Sequence, residues 1–258
     1  MFNIKFDHQS VTGHVRDINE DTFAVMHGNE TSGSLAVVCD GMGGVVGGEI
    51  ASKIVCETFY DFPVYCDGIK PFNAGSNRKR LERMIQVANH KIRDFVRHHP
   101  RYNGMGTTVS ALLFLEDKFV IAHVGDSRIY RLRGGKLMRL TKDQTLRDYL
   151  LQTGKISSDE AFGHPSGHIL MQAVGASAHL RRIQSQVDDL AGGDVFLICS
   201  DGLSDLVRDD EIQEALLTGA FDQVCGDLVR LALQRGGSDN ITVIAAEVTD
   251  AAMRRQAA

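Results

Sequence analysis

The stretch TTVSALLFLEDKFVIAHVGDSRIYRLRGGKLMRL, residues 107–140, decides the fold. Its apolar, β-branched runs are interrupted by short turn signals at Glu116–Asp117 and Gly134–Gly135. Two-residue turns of the Gly-Gly kind join antiparallel neighbours. The stretch therefore predicts a meander of β-hairpins and not a parallel sheet.

The rest of the chain supplies further strands and separate helices. Apolar runs predict strands at 22–26, 35–39, 194–199 and 241–247. Apolar residues at helical spacing predict helices over 50–59, 78–98, 209–217 and 222–234. The stretches 61–77 and 141–190 are predicted to be loop-like. Hairpins combined with helix pairs predict an α+β fold of antiparallel sheets covered by helices, in one domain.

Composition narrows the classes of function. The net charge of −5 argues against broad binding to nucleic acid or anionic membranes, because both need a basic face. The chain has no apolar run long enough to span a bilayer, and Lys5 and Asp7 interrupt the start where a signal peptide needs apolar residues. These features predict a cytoplasmic protein. The five cysteines form no Cys-x-x-Cys pair, which predicts reduced thiols and not disulfides or zinc ligands.

A second stretch, LAVVCDGMGGVVGGE at 35–49, drives an apolar strand into Asp40 and a glycine-rich loop. Glycine-rich turns often cradle phosphate, but a Walker-type loop would need Lys where Glu49 stands. The dinucleotide-binding pattern fails in the same way at Val46. A carboxylate at such a turn would repel phosphate unless a cation lay between them.

Asp40 is one of a set of acidic residues at strand ends. Glu20 and Asp21 precede a predicted strand, Asp126 and Asp201 follow strands beside glycines, and Asp239 precedes the last strand. Carboxylates gathered at one end of a sandwich would repel one another unless hard divalent cations neutralised them. Oxygen-only ligands favour Mg²⁺ or Mn²⁺.

Seven motifs in order complete the picture: GHVRDINED (13–21), VVCDGMGG (37–44), GTT (106–108), HVGDSRIYRL (123–132), LTKDQT (140–145), LICSDGL (197–203) and SDNITV (238–243). Together they resemble the metal-dependent protein phosphatase (PPM) family, the type 2C serine/threonine phosphatases, in their bacterial single-domain form. The resemblance implies a four-layer α-β-β-α sandwich of two antiparallel sheets. It also implies a single domain over 1–250 with a flap at about 144–168, and a tail at 251–258.

The resemblance implies a role for each matching residue. Asp40 would bridge two metal ions, the Gly41 carbonyl would complete one coordination shell, and Glu20 would act through bound water. Asp21, Asp201 and Asp239 match metal-ligand positions, and Asp126 with Asp201 matches a third-metal site. Arg16 matches the arginine that binds the substrate phosphate. The implied reaction is hydrolysis of phosphothreonine and phosphoserine monoesters by a water that bridges the metals.

The chain departs from the family pattern in two places. Animal members carry His where Met42 stands, so no side chain is an obvious acid for the leaving oxygen. Met171 and Gln172 stand where the family often has Thr-Arg. The implied partners are phosphoproteins, a bacterial serine/threonine kinase among them, and the chain is predicted to be a monomer. Two alternatives are a catalytically weak phosphoprotein-binding regulatory module and a two-metal phosphodiesterase.

Overall fold

The computed structural model describes residues 2–28, 33–42, 46–62, 73–161 and 164–250. Most of the predicted loop at 61–77, the tail 251–258, Cys66, Gly43 and Gly44 lie outside the described residues. The described strands are β1 Phe2–Val11, β2 Thr22–Met26, β3 Ser34–Cys39, β4 Gly41–Met42, β5 Gly106–Thr107, β6 Val109–Phe114, β7 Lys118–Val124, β8 Arg128–Arg133, β9 Lys136–Arg139, β10 Gln184–Asp189, β11 Val195–Cys199 and β12 Ile241–Asp250.

The described helices lie between these strands and after them. They are α1 Gly48–Tyr60, α2 Ala74–His98, α3 Leu146–Gln152, α4 Ser158–Ala161, α5 Asp201–Ser204, α6 Asp209–Thr218 and α7 Val224–Gln234. Helix α2 begins four residues before the predicted start at 78, because the Asn73 side chain accepts a hydrogen bond from the backbone N–H of Ser76. No described helix is long and apolar enough to cross a membrane.

The strands form two five-stranded sheets and a short ribbon. One sheet has the order β1-β12-β11-β8-β9 and the other β10-β7-β6-β3-β2, while β4 pairs with β5. All these pairings are antiparallel. The prediction of antiparallel sheets covered by helices is therefore confirmed.

The predicted meander is wrong at one point. The stretch 107–140 forms two hairpins, β6-β7 and β8-β9, but they belong to different sheets. The chain crosses from one sheet to the other at Gly125, whose φ is +111°. A β-carbon there would lie 2.7 Å from Cβ of Thr108, so only glycine fits the crossing.

Alternating side chains of each sheet bury both of its faces. Leu35 and Val37 on β3 pack against α1 and α2, whereas Ala36 and Val38 point between the sheets. On β12, Val243 and Ala245 likewise face α5 to α7, and Ile244 faces the other sheet. Both faces are covered, so these strands read as continuous apolar runs. Three hydrophobic cores thus separate four layers in the order α-β-β-α.

The sequence does not predict the outer strands β10 and β1 or the two-residue strand β4. β10 lies inside the stretch 141–190 that was predicted to be loop-like, which also contains α3 and α4. The sequence of β10, QSQVDD, is polar because it forms an edge of its sheet and faces solvent at several positions. β1 was not predicted either, and it is the edge of the other sheet.

Candidate metal centre

Strand register brings the predicted acidic residues to one end of the sandwich. Thr22 pairs with Cys39, so Asp21 and Asp40 lie beside each other at the end of β2 and β3. Cys199 pairs with Val243, which places Asp201 at the same end of its sheet as Asp239. In antiparallel neighbours the residue before one strand meets the residue after the other.

Hydrogen bonds join the two sheets at this end. The Ser200 hydroxyl donates to Oδ2 of Asp21 over 2.8 Å, and the backbone N–H of Glu20 donates to Oδ1 of Asn240 over 2.8 Å. The backbone N–H of Asp40 donates to the Thr108 hydroxyl over 2.9 Å, next to the crossing that carries Asp126. The two sheets are thereby held in a fixed register around the carboxylates.

The carboxylates are buried close enough to disturb one another's ionisation. Burial, and then the charges of Asp21 and Asp201, raise the pKa of Asp40 well above its usual range. Burial and Asp201 do the same to the pKa of Asp126. Burial raises the pKa of Asp21 to about 7 and that of Asp201 to about 6. Such crowding of carboxylates is unfavourable unless positive charge is bound among them.

The donor set fits hard divalent cations. Oδ1 of Asp21 is buried and has no hydrogen-bond partner, although the other oxygen of the same carboxylate is bonded to Ser200. An unpartnered buried carboxylate oxygen is costly and calls for a ligand. The surrounding groups Asp40, Asp201 and Asp239 offer only oxygen, which suits Mg²⁺ or Mn²⁺.

Glycines allow the backbone to approach these groups. A β-carbon at Gly41 would lie 2.3 Å from the Gly48 carbonyl oxygen and 2.5 Å from the Glu20 carbonyl oxygen. A β-carbon at Gly48 would lie 2.5 Å from Oε1 of Glu20. The start of α1, Gly41 and the Glu20 carboxylate therefore pack in direct contact, and neither glycine has room for a side chain.

Arg16 is the cation at the rim of the centre. Its Nη2 donates to Oδ2 of Asp239 over 2.7 Å, and its side chain is about half exposed. The hydrogen bond to Asp239 raises the pKa of Arg16, so the guanidinium stays charged. This pair orients the guanidinium next to the carboxylates and leaves further N–H groups directed to solvent.

The structure therefore brings together all the residues predicted for the site: Arg16, Glu20, Asp21, Asp40, Gly41, Asp126, Asp201 and Asp239. It adds residues that the sequence reasoning missed. Asp205 lies one helical turn after Asp201, and Nδ1 of His168 lies 3.4 Å from its Oδ2. The repeat of Asp at i and i+4 in SDGLSD was the available signal.

A second missed residue anchors the start of the predicted flap. Asp143 is almost fully buried and accepts hydrogen bonds from Arg128, Arg139 and Arg147. Its charge also raises the pKa of Asp126, so the arginine cluster and the carboxylate centre are electrostatically connected. Arg147 belongs to α3, which ties the first helix after the LTKDQT motif to the body of the protein.

The raised carboxyl pKa values predict how metal-free stability depends on pH. The pKa values of Asp21 and Asp201, about 7 and about 6, both exceed the value of 3.8 expected for an unfolded chain. The folded state therefore binds more protons than the unfolded state between these limits, and its stability falls as the pH rises. In EDTA we expect the melting temperature to fall by roughly 5 °C or more between pH 5 and 7.5.

Differential scanning fluorimetry across that pH range checks this prediction. Added Mn²⁺ should remove most of the decline, because the cation replaces the protons, and Asp201→Asn should make the EDTA profile flatter. A melting temperature that rises with pH in EDTA over the same range would contradict the prediction.

Comparison with known proteins identifies the family. The family described as Protein phosphatase 2C matches residues 12–241. The chain is 35% identical over 247 residues to the serine/threonine protein phosphatase PstP of Mycobacterium tuberculosis, a match that covers 96% of this chain and 45% of that protein. It is 34% identical over 236 residues to the serine/threonine phosphatase stp of Listeria monocytogenes. This match covers 91% of this chain and 92% of that protein. The chain thus spans less than half the length of PstP and nearly all of stp.

One solved structure is similar to this chain in both fold and sequence. The catalytic domain of the serine/threonine protein phosphatase PstP, in complex with two manganese ions, superposes with a TM-score of 0.82 at 34% identity. The match covers 97% of this chain and all of that one. With the family match over residues 12–241 and relatives above 30% identity, this chain belongs to the protein phosphatase 2C family.

Proposed function

We propose that the chain is a Mg²⁺- or Mn²⁺-dependent phosphatase that hydrolyses phosphothreonine and phosphoserine monoesters in proteins. The observation that carries the proposal is the convergence of five aspartates with Arg16 at one end of the sandwich. The carboxylates can hold cations, and the cations with Arg16 can hold a dianionic phosphoryl group. Its relatives named serine/threonine phosphatases support the same reaction.

Each acidic residue has a proposed position in the metal centre. Asp40 would bridge two ions, with the Gly41 carbonyl in one coordination shell. Asp21, Asp201 and Asp239 would supply further carboxylate oxygens, Glu20 would act through water, and Asp126 with Asp201 would hold a third ion. The PstP structure with two manganese ions supports a two-ion core. Bound divalent ions neutralise phosphate charge and lower the pKa of water at neutral pH.

The protein side chains then position the substrate. Asp239 holds one nitrogen of Arg16 in place, so the remaining N–H groups can donate to two phosphoryl oxygens. Preorganised donors of this kind stabilise charge that develops on the transferring group. Met42 is half-buried beside the centre and cannot donate a proton. The leaving oxygen must therefore be protonated by another group, and we propose a water near Asp126.

We also propose partners, a location and an oligomeric state for the chain. The substrates would be proteins phosphorylated by a bacterial serine/threonine kinase, and the chain would act as a monomer in the cytoplasm. The flap at about 144–168 would contact these substrates. In the described residues it contains α3 and α4, and Arg147 joins it to Asp143.

Hydrolysis assays test the proposed reaction. With Mn²⁺ we expect turnover of both a phosphothreonine peptide and p-nitrophenyl phosphate, and loss of turnover in EDTA. Bis(p-nitrophenyl) phosphate serves as the diester substrate. Binding of phosphopeptide without turnover would favour the regulatory module instead, and faster hydrolysis of the diester would favour a phosphodiesterase.

A further inference from the structure

A groove with basic side chains lies along the C-terminal half of α2. It has a volume of about 740 Å³. The groove is lined by His90, Arg93 and Arg97 of α2, together with Gly104 and Gly175. A β-carbon added at Gly104 would meet no atom within 4 Å, so the backbone is open at that point.

The groove concentrates positive charge on a chain whose net charge is −5. Three cations, Lys91, Arg93 and Arg97, and one carboxylate, Asp94, line it. The carboxylate of Asp94 lies within ion-pair distance of both Arg97 and His98. Nζ of Lys91 lies 3.8 Å from Oδ2 of Asp61. Arg93 makes no hydrogen bond or ion pair with any part of the chain that the structure describes. Its exposed guanidinium is therefore available to an anionic ligand.

The groove adjoins the metal centre through the β4-β5 ribbon. Gly104 lies two residues before the ribbon strand β5. In this ribbon Gly106 pairs with Met42, and Thr107 pairs with Gly41. Gly175 follows Val174, whose carbonyl oxygen accepts a hydrogen bond from the N–H of Thr107 over 2.9 Å. From Gly104 to Thr108, whose N–H donates to the Asp40 carbonyl oxygen, an extended chain covers at most about 14 Å.

We propose that this groove binds an acidic segment of the phosphoprotein substrate, about three to six residues from the phosphorylated residue. The inference rests on the proposed phosphatase function and adds a specificity site to it. A bound peptide covers about 3.3–3.6 Å per residue when extended, so about four residues reach from a phosphate at the metal centre to Gly104 in the groove. Charge complementarity favours an acidic segment, because three cations and one carboxylate line the groove and the Arg93 guanidinium has no partner among the described residues.

Peptide kinetics test this proposal. Three phosphothreonine peptides would be compared. One has neutral flanks, one has four glutamates on the N-terminal side of the phosphothreonine, and one has four glutamates on its C-terminal side. For the unmodified chain with Mn²⁺, we expect one acidic peptide to have a KM about 5- to 10-fold below that of the neutral peptide. In Arg93→Glu/Arg97→Glu the difference should vanish, with p-nitrophenyl phosphate hydrolysis unchanged. Arg93→Gln should give an intermediate KM, and 0.5 M NaCl should reduce the preference.

The matched control is Lys79→Glu/Lys136→Glu, which makes the same charge change at exposed positions outside the groove. It should keep the preference for the acidic peptide. Equal KM values for all three peptides would overturn the proposed role of the groove. So would a control variant that loses the preference for the acidic peptide as fully as the Arg93/Arg97 variant does. Equally strong competition by single-stranded DNA would overturn its assignment to acidic protein segments.

A binding measurement separates the groove from the reaction. Fluorescence anisotropy with an unphosphorylated acidic peptide needs no turnover. Absence of hydrolysis of every monoester would refute the phosphatase function alone, whereas Arg93-dependent binding of this peptide would still support an acidic-segment site. No binding by an enzyme that hydrolyses the phosphopeptides would refute the groove alone.

Discussion

Asp40→Asn is expected to lower kcat for a phosphothreonine peptide by at least about 1000-fold, because it removes the charge of the residue proposed to bridge two ions. Asp40 lies at the end of β3, where its pKa responds to Asp21, Asp201, Asp126 and Asp239. Four carboxylates of the site therefore act on this one group. Steady-state kinetics over a range of Mn²⁺ concentrations would measure the loss and show whether excess metal restores activity.

The same substitution should stabilise the metal-free protein. Asn has nearly the shape of Asp but removes one charge from a buried, self-repelling group. In EDTA at pH 7.5 the variant should therefore melt at or above the temperature of the unmodified chain. Asp117→Asn, an exposed change in the β6-β7 turn, is the control and should alter neither quantity. Hydrolysis within tenfold of the unmodified chain, or a variant that melts lower in EDTA, would contradict this assignment of Asp40.

Arg16→Ala is expected to lower kcat/KM by about 100-fold, because charge-assisted, bidentate contacts to phosphoryl oxygens are lost. Arg16→Lys should recover only part of this loss, since an ammonium group cannot form the paired N–H contacts. The affinity for Mn²⁺ should change little, because the hydrogen bond of Arg16 reaches only one oxygen of Asp239, Oδ2. Measuring kcat/KM with peptide and Kd for Mn²⁺ separates substrate binding from metal binding.

Arg230→Ala provides a matched control for this experiment. Arg230 is also an exposed arginine, and its Nη1 lies 2.8 Å from an Asp227 carboxylate oxygen, but it belongs to α7. Its removal should leave kcat/KM unchanged. If Arg16→Ala weakened Mn²⁺ binding as strongly as it slowed hydrolysis, Arg16 would support the metal centre and would not be assigned to the substrate.

Much of the sandwich could be predicted from local patterns. The strands at 35–39, 194–199 and 241–247 stand out because most of their residues are apolar and buried, and the edge strand at 22–26 stands out because four apolar residues follow Thr22. The acidic residues of the site could be predicted for a related reason. These residues lie at or near the ends of apolar runs, where a carboxylate such as Asp21 or Asp201 has no role in packing.

The remaining features depend on contacts that local sequence does not encode. Nothing in the residues around Gly125 shows that β7 and β8 belong to different sheets, because that choice depends on how the two sheets pack. The strand β10 has the composition of a loop, and its pairing with β7 supplies the structure. Asp205 was missed because its partner, His168, is distant in the sequence.

The proposed function requires the converging carboxylates to bind divalent cations. Isothermal titration of the metal-free chain with Mn²⁺ at pH 7.5 measures this binding without any substrate. We expect two tightly bound ions per chain in the unmodified protein and loss of at least one tight site in Asp40→Asn. An unmodified chain that binds no Mn²⁺, or an Asp40→Asn variant that binds it unchanged, would show that these carboxylates do not form a metal centre.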